Sequence, residues 1–187
     1  MFIGFAPVTA ILSLVVSAAA VVFVWWRKRR SDDNGSVALA EAVGAYLGAG
    51  IIVFGLIQLV PIGRDHSNPP VTGEPEWADA RTRELMVDAC FGCHSNEVEY
   101  PWYANVAPIS WAVERHVDEG RGELNYSEFT TSDGDFDETI ESILEGEMPP
   151  RYYTSFGMHP EANLSGDEID ELVAGLRGTP GLSEGDD

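Results

Sequence analysis

Two long apolar runs open the chain, and a polar stretch punctuated by helical patterns follows them. Phe2 to Trp26 is almost wholly apolar and uncharged, long enough to cross a hydrocarbon core as a helix. Arg27-Lys28-Arg29-Arg30 comes directly after it. A second run, Val37 to Ile62, carries one acidic residue, Glu41, near its start. Its Gly44, Gly48 and Gly55 suit close helix packing, with Gly44 and Gly48 at small-xxx-small spacing. Spans over about 2–26 and 37–62 are therefore expected to form a transmembrane hairpin with lipid around it. In a signal peptide the basic residues precede the apolar region, and here they follow it. The positive-inside rule puts the 27–36 loop in the cytoplasm. The N-terminus and everything beyond Ile62 then lie on the extracytoplasmic side of a cell membrane crossed twice.

Beyond Ile62 the pattern changes. Residues 63–76 (GRDHSNPPVTGEPE) have no apolar period and read as a linker, with His66 solvated. A small domain is expected over 77–178. Glu76 to Phe91 reads as a helix, as does Pro108 to Glu119, which offers Ile109, Ala112, Val113 and His116 and ends at Gly120. Asp135 to Glu145 repeats Phe136, Ile140, Ile143 and Leu144 and stops at Gly146. Ser165 to Glu168 has the form of a capping box ahead of Ile169, Leu172, Val173 and Leu176. No convincing strand is present, so the fold class is all-α. Residues 179–187 read as a frayed acidic tail.

Charge narrows the choice of partners. The 187-residue chain has a formal net charge of −20. From Arg64 onward, seven Arg and 28 acidic residues with no Lys leave −21. Such a field repels a phosphate backbone and excludes nucleic acid. It favours docking to a basic patch on a partner, and it equally suits solubility in a saline habitat.

The chemistry sits at Cys90-Phe91-Gly92-Cys93-His94. These are the only two cysteines, three positions apart, with a histidine next. A zinc site wants about four ligands, and no second Cys pair supplies them. A thioredoxin-like pair belongs in a βαβ pattern, which is missing. The spacing is that of a c-type haem attachment site: each thiol of Cys90 and Cys93 adds to a porphyrin vinyl group, and His94 meets the iron from the proximal side. One covalent haem c is expected. Met148, in Gly146-Glu-Met-Pro-Pro150, leads as distal ligand because the prolines stiffen the loop that must hold a weak thioether. His116 and His159 are the alternatives. Trp102, Tyr103, Trp111 and Tyr152 are candidates to line the pocket, and Arg115 and Arg121 to pair with propionates.

These residues also fall into ordered blocks: Cys90-x-x-Cys-His-Ser-Asn96, Pro101-Trp-Tyr103, Ala107-Pro-x-Ser-Trp111, His116-Val117, Gly120-Arg121, Leu124-Asn-Tyr-Ser127, Gly146-x-Met-Pro149, Tyr153 and His159-Pro-x-Ala-x-Leu-Ser165. Together, over about Leu85 to Leu176, they resemble the bacterial haem-binding domain family of small cytochrome-c-like monohaem proteins. The resemblance implies a cytochrome-like helical fold, one covalent haem c and a role for Met148 as ligand, with His116 and His159 kept as pocket residues. Two membrane spans depart from a simple anchor and point to other membrane subunits. The function expected is single-electron transfer on the outer face of the membrane, beside or within a respiratory or photosynthetic complex, without a catalytic residue. Two alternatives stand against it: a haem sensor or peroxidase-like enzyme with an open sixth position, using His116 with Arg115 or Arg121, and a mainly structural membrane subunit.

Overall fold

The computed structural model describes residues 5–30, 39–131, 134–136 and 138–182. The expected chain start before Phe5, most of the 27–36 loop and the last five residues of the tail lie outside that range. Among the described residues no strand is present, and one isolated bridge joins Gly73 to Glu128. The fold is all-α.

The chain divides into two compact units. In the first, α1 (Phe5–Arg30) and α2 (Leu39–Ile57) pack against each other. Their side chains are described over 15–29 and 43–57, each about 22 Å of helix at ~1.5 Å per residue. Among the described residues no helix is long and apolar enough to cross a membrane.

The seam between the two helices is not the one expected. A Cβ at Gly44, Gly48 or Gly55 would meet nothing within 4 Å. Ala20, Ala45 and Ala49 are buried instead, Gly50 faces Val16, and Ser17 Oγ lies 3.3 Å from the Tyr46 hydroxyl. Ala45 and Ala49 keep small-xxx-small spacing one position later, a turn of about 100° around α2. Where α2 ends, Gln58 forms a two-point clasp: its Nε2 donates to Ala107 O (2.8 Å) and its Oε1 accepts from Ala107 N (2.9 Å).

Among the described residues the second unit holds six α-helices, α3 (Ala80–Ala89), α4 (Phe91–His94), α5 (Ile109–Glu123), α6 (Glu138–Leu144), α7 (Arg151–Thr154) and α8 (Gly166–Arg177), with short 3-10 turns at Trp102–Asn105 and Ser155–Gly157. Asp79 caps α3 by accepting from Thr82 N at 2.7 Å. Ser165 and Glu168 form the expected capping box on α8. Amphipathic faces then build one core from Leu85, Met86, Phe91, Tyr126, Ile140, Leu172, Leu176 and neighbours. Full burial of an aliphatic side chain of this size contributes roughly 1.5–3 kcal/mol. α3 and α8 cross where Gly175 meets Thr82, and a Cβ there would stand 2.9 Å from the Thr82 Cβ.

Three segments depart from expectation. α5 runs through Gly120 to Glu123, because that glycine serves close packing rather than helix termination. The 63–76 linker lies along the domain. Thr72 N and Gly73 N donate to Ser127 O, Phe129 N donates to Gly73 O, and Glu74 takes two 2.7 Å bonds from Arg83. His66 stacks on Tyr100 at 4.2 Å instead of standing in solvent. The tail begins inside the core: Leu182 and Thr179 are buried, and the Thr179 hydroxyl accepts from Ala78 N at 3.0 Å.

Candidate functional site

α3 delivers the motif and a single tight turn closes it. Cys90 N donates to Met86 O, and Cys90 O then accepts from both Cys93 N (3.1 Å) and His94 N (3.0 Å). Phe91 anchors the turn in the core, stacked on Tyr126 at 6.2 Å and 8°. The Ser95 hydroxyl donates to Phe91 O, and the chain leaves in an extended conformation. Both cysteines are free and half-buried, with their sulfurs the buried part. Burial of the sulfurs pushes the Cys90 thiol up to about 12, with Cys93 adding to the effect, and the Cys93 thiol up to about 11.

His94 is held at three points. Its carbonyl accepts from Tyr126 N at 2.9 Å, its ring stands edge-on to Tyr126, and Nδ1 lies 3.1 Å from Leu124 O. A carbonyl can only accept, so Nδ1 carries the proton and Nε2 keeps the lone pair. Burial lowers the pKa, against the raising effect of the Leu124 and Gly120 carbonyls and Glu123, and so favours neutral imidazole. A metal-ligating histidine needs this arrangement: one nitrogen fixed by a carbonyl, the other available.

A buried polar lattice supports the loop that carries Leu124. Asn96 N donates to Ser127 Oγ (2.9 Å), Asn125 Nδ2 to Asn96 Oδ1 (3.0 Å) and Ser127 N to Asn125 Oδ1 (3.1 Å). Arg121 Nε donates to Ser95 O at 2.8 Å and its Nη2 to Asn68 Oδ1 at 2.7 Å. Gly120 lets α5 lie directly on the motif, since a Cβ there would be 2.6 Å from Cys93 O and 3.0 Å from Cys93 Cβ.

α7 also lies against the motif. The Tyr153 hydroxyl lies against Gly92, so close that a Cβ at Gly92 would overlap it. Burial raises the Tyr152 and Tyr153 phenols above the ordinary range, and the Cys93 sulfur is the next cause for both. One turn before Gly120 on the same face of α5, the His116 ring lies 5.2 Å from that of Tyr152, and burial lowers its pKa. Cys90, Cys93, His94, His116, Tyr152 and Tyr153 thus gather around one turn.

The other expected residues are placed elsewhere or are already engaged. Both ring nitrogens of His159 have partners, the Tyr103 hydroxyl at Nε2 (2.6 Å) and Glu161 at Nδ1 (3.2 Å). Arg115 pairs with Glu119 at 2.7 Å. With Arg121 bound to Ser95 and Asn68, neither arginine stands free beside His116. Trp111 sits nine residues before Gly120, half a turn round α5 at about 100° per residue, and its buried Nε1 has no hydrogen-bond partner among the described residues. Trp102 is 80 % exposed. Met148 is 41 % exposed on the loop between α6 and α7, three residues ahead of the turn that meets the motif. Sequence reasoning missed Leu124 O, because a backbone acceptor has no residue signature. It also misjudged Gly120, whose only signal was its place in the Gly120-Arg121 block.

Among the described residues no group of three His, Cys, Asp or Glu side chains converges on a bare metal ion. Two thiols and one oriented imidazole instead suit a metal that brings its own equatorial ligands, as iron in a porphyrin does. The comparisons agree. The model of the haem-binding domain family matches residues 52–178, more than half of the chain, and the chain belongs to that family. No curated protein and no solved structure matches it.

Proposed function

We propose that this member of the haem-binding domain family carries one covalent haem c and passes single electrons on the outer face of a membrane. The observation that supports the reading best is the His94 ring, neutral and tautomer-fixed by Leu124 O, next to two thiols at attachment spacing. Bound there, a haem supplies an iron that cycles between ferric and ferrous states. Cys90 and Cys93 would hold the porphyrin through thioether links to its vinyl groups, and His94 Nε2 would ligate the iron. The Asn96–Asn125–Ser127 lattice braces the loop that carries Leu124 and so would fix the His94 ring orientation toward the iron. Met148 would be the second iron ligand, since His159 would have to give up a bond to reach iron. Tyr152 and His116 line the same side of the motif, and Tyr103 stands behind His159.

The hairpin is the membrane anchor. The apolar runs 2–26 and 37–62 and the basic run 27–30 support it. So do Val21, Val22, Phe23, Ile51, Ile52 and Leu56, which turn outward from α1 and α2 and need an apolar surrounding. The matched range begins within α2, so α1 lies outside it. That favours a second role for the hairpin, docking to other membrane subunits. A mild-detergent purification tests this role, and a lone monomer argues against it.

The haem reading is tested by intact mass and a reduced visible spectrum of protein matured in a host able to attach haem. A mass increment of one haem that survives acid and organic solvent is expected. An unmodified polypeptide under those conditions overturns it.

A further inference from the structure

A continuous run of aromatic rings leads from the motif to solvent. It starts at Tyr153, whose hydroxyl touches Gly92 between the two cysteines. Tyr153 stacks on His159 with centroids 3.9 Å apart and planes 9° from parallel. His159 Nε2 accepts the Tyr103 hydroxyl at 2.6 Å, with its orientation set by Glu161 on the opposite nitrogen. Tyr103 meets Trp102 edge-on at 5.8 Å. Trp102 ends the series and is more open to solvent than any other exposed large apolar side chain among the described residues. A single exposed apolar residue is ordinary. One joined through three packed rings to the reactive segment of the protein is not.

We infer that Trp102 is the contact point for a cationic one-electron redox partner, with Tyr103, His159 and Tyr153 as the packed route behind it. This rests on the haem reading above and gives it a place on the surface. The surroundings define the partner. Met158, beside His159, is half exposed and offers a soft apolar neighbour. Glu161 borders the route, and Asp88 lies in the combined field of Glu84, Glu161 and Glu168, which Arg81 only partly offsets. An exposed indole on a domain with 28 acidic residues and seven Arg from Arg64 onward attracts a cation by both cation–π and Coulomb terms. In the reaction one electron leaves: iron(II) becomes iron(III), the partner is reduced by one unit, and no bond forms or breaks.

Two probes test the inference on the haem-loaded full chain in detergent. Hexaamminechromium(III), a redox-inert paramagnetic cation, reads docking without electron transfer. Of the five Trp indole N–H resonances, that of Trp102, assigned by its loss in Trp102→Phe, should broaden first, and high salt should abolish the effect. Hexaammineruthenium(III) reads the reaction. Trp102→Ala should slow oxidation of the ferrous protein about two- to fivefold, the range of an exposed cation–π contact. Trp102→Phe should restore most of the rate, with spectrum and potential unchanged in both variants. Broadening centred on another indole, or an unaltered rate in Trp102→Ala, overturns the inference. The mass of the same sample separates this from failure of the haem reading: haem present with Trp102 silent sinks only the docking site.

Discussion

Replacing Gly120 by alanine puts a methyl group where the motif's backbone already stands. Ordinary contact begins near 3.4 Å, and the new Cβ would be 2.6 Å from Cys93 O. α5 and the α4 turn must therefore part by about 0.8 Å, and the obstacle is a carbonyl, not the end of a flexible side chain. Overpacking of this kind costs ~1–3 kcal/mol, while exchanging glycine for alanine within a helix returns up to ~1 kcal/mol. A net loss of about 1–2 kcal/mol is expected, which lowers Tm by roughly 4–16 °C for a domain of this size. Gly122→Ala is the internal control. It lies two residues on in the same helix, and its Cβ would meet nothing within 4 Å. It should be neutral or stabilising by up to ~1 kcal/mol. Thermal unfolding of the two variants, haem-loaded and haem-free, measures the difference. Equal stability of Gly120→Ala and Gly122→Ala would refute close approach as the reason for glycine at 120.

Three further outcomes follow from the same geometry. Met148→Ala should alter the reduced spectrum and lower the reduction potential, because loss of a thioether removes a ligand that favours ferrous iron. An unchanged spectrum and potential eliminate Met148 as ligand, and fast carbon monoxide binding by the parent protein does the same. Ser127→Ala strands the Asn96 N–H inside the protein and should cost ~1–3 kcal/mol in urea unfolding; a loss below a few tenths would mean that the lattice around Leu124 contributes nothing. Glu74 is held below its ordinary value of 4.5, first by its bonds to Arg83, against the cost of burial. A depressed folded-state pKa adds stability that is present above the unfolded value and is lost as pH falls through the lowered one. Acid unfolding of Glu74→Gln should therefore be flatter below about pH 4.5 than that of the parent, and parallel curves would contradict this.

Membership of the haem-binding family was legible because the residues that suggested it are local: two sulfurs and an imidazole within five residues need no tertiary knowledge. The capping box of α8 was legible for the same reason. Gly120 was misread because glycine marks both a helix end and a close crossing, and only the neighbour across the crossing separates them. The linker looked solvated because its partners are Ser127 O, Val98 O and other backbone atoms invisible in composition. α7 escaped notice because four residues after Pro149-Pro150 form too short a period to detect. In the hairpin the small-residue spacing was right and its phase wrong by one, an error that a helix of mixed Gly and Ala invites.

The packed linker has a practical consequence for anyone wishing to study the haem domain without detergent. Trimming to Trp77, where composition alone would place the scissors, removes Thr72 and Gly73 from Ser127 O, Pro70 from Asn96 and Glu74 from Arg83. The lattice behind His94 would be left open on one flank. A water-soluble version should instead begin near Gly63, and protease digestion of the intact chain should spare the stretch from Asn68 to Trp77.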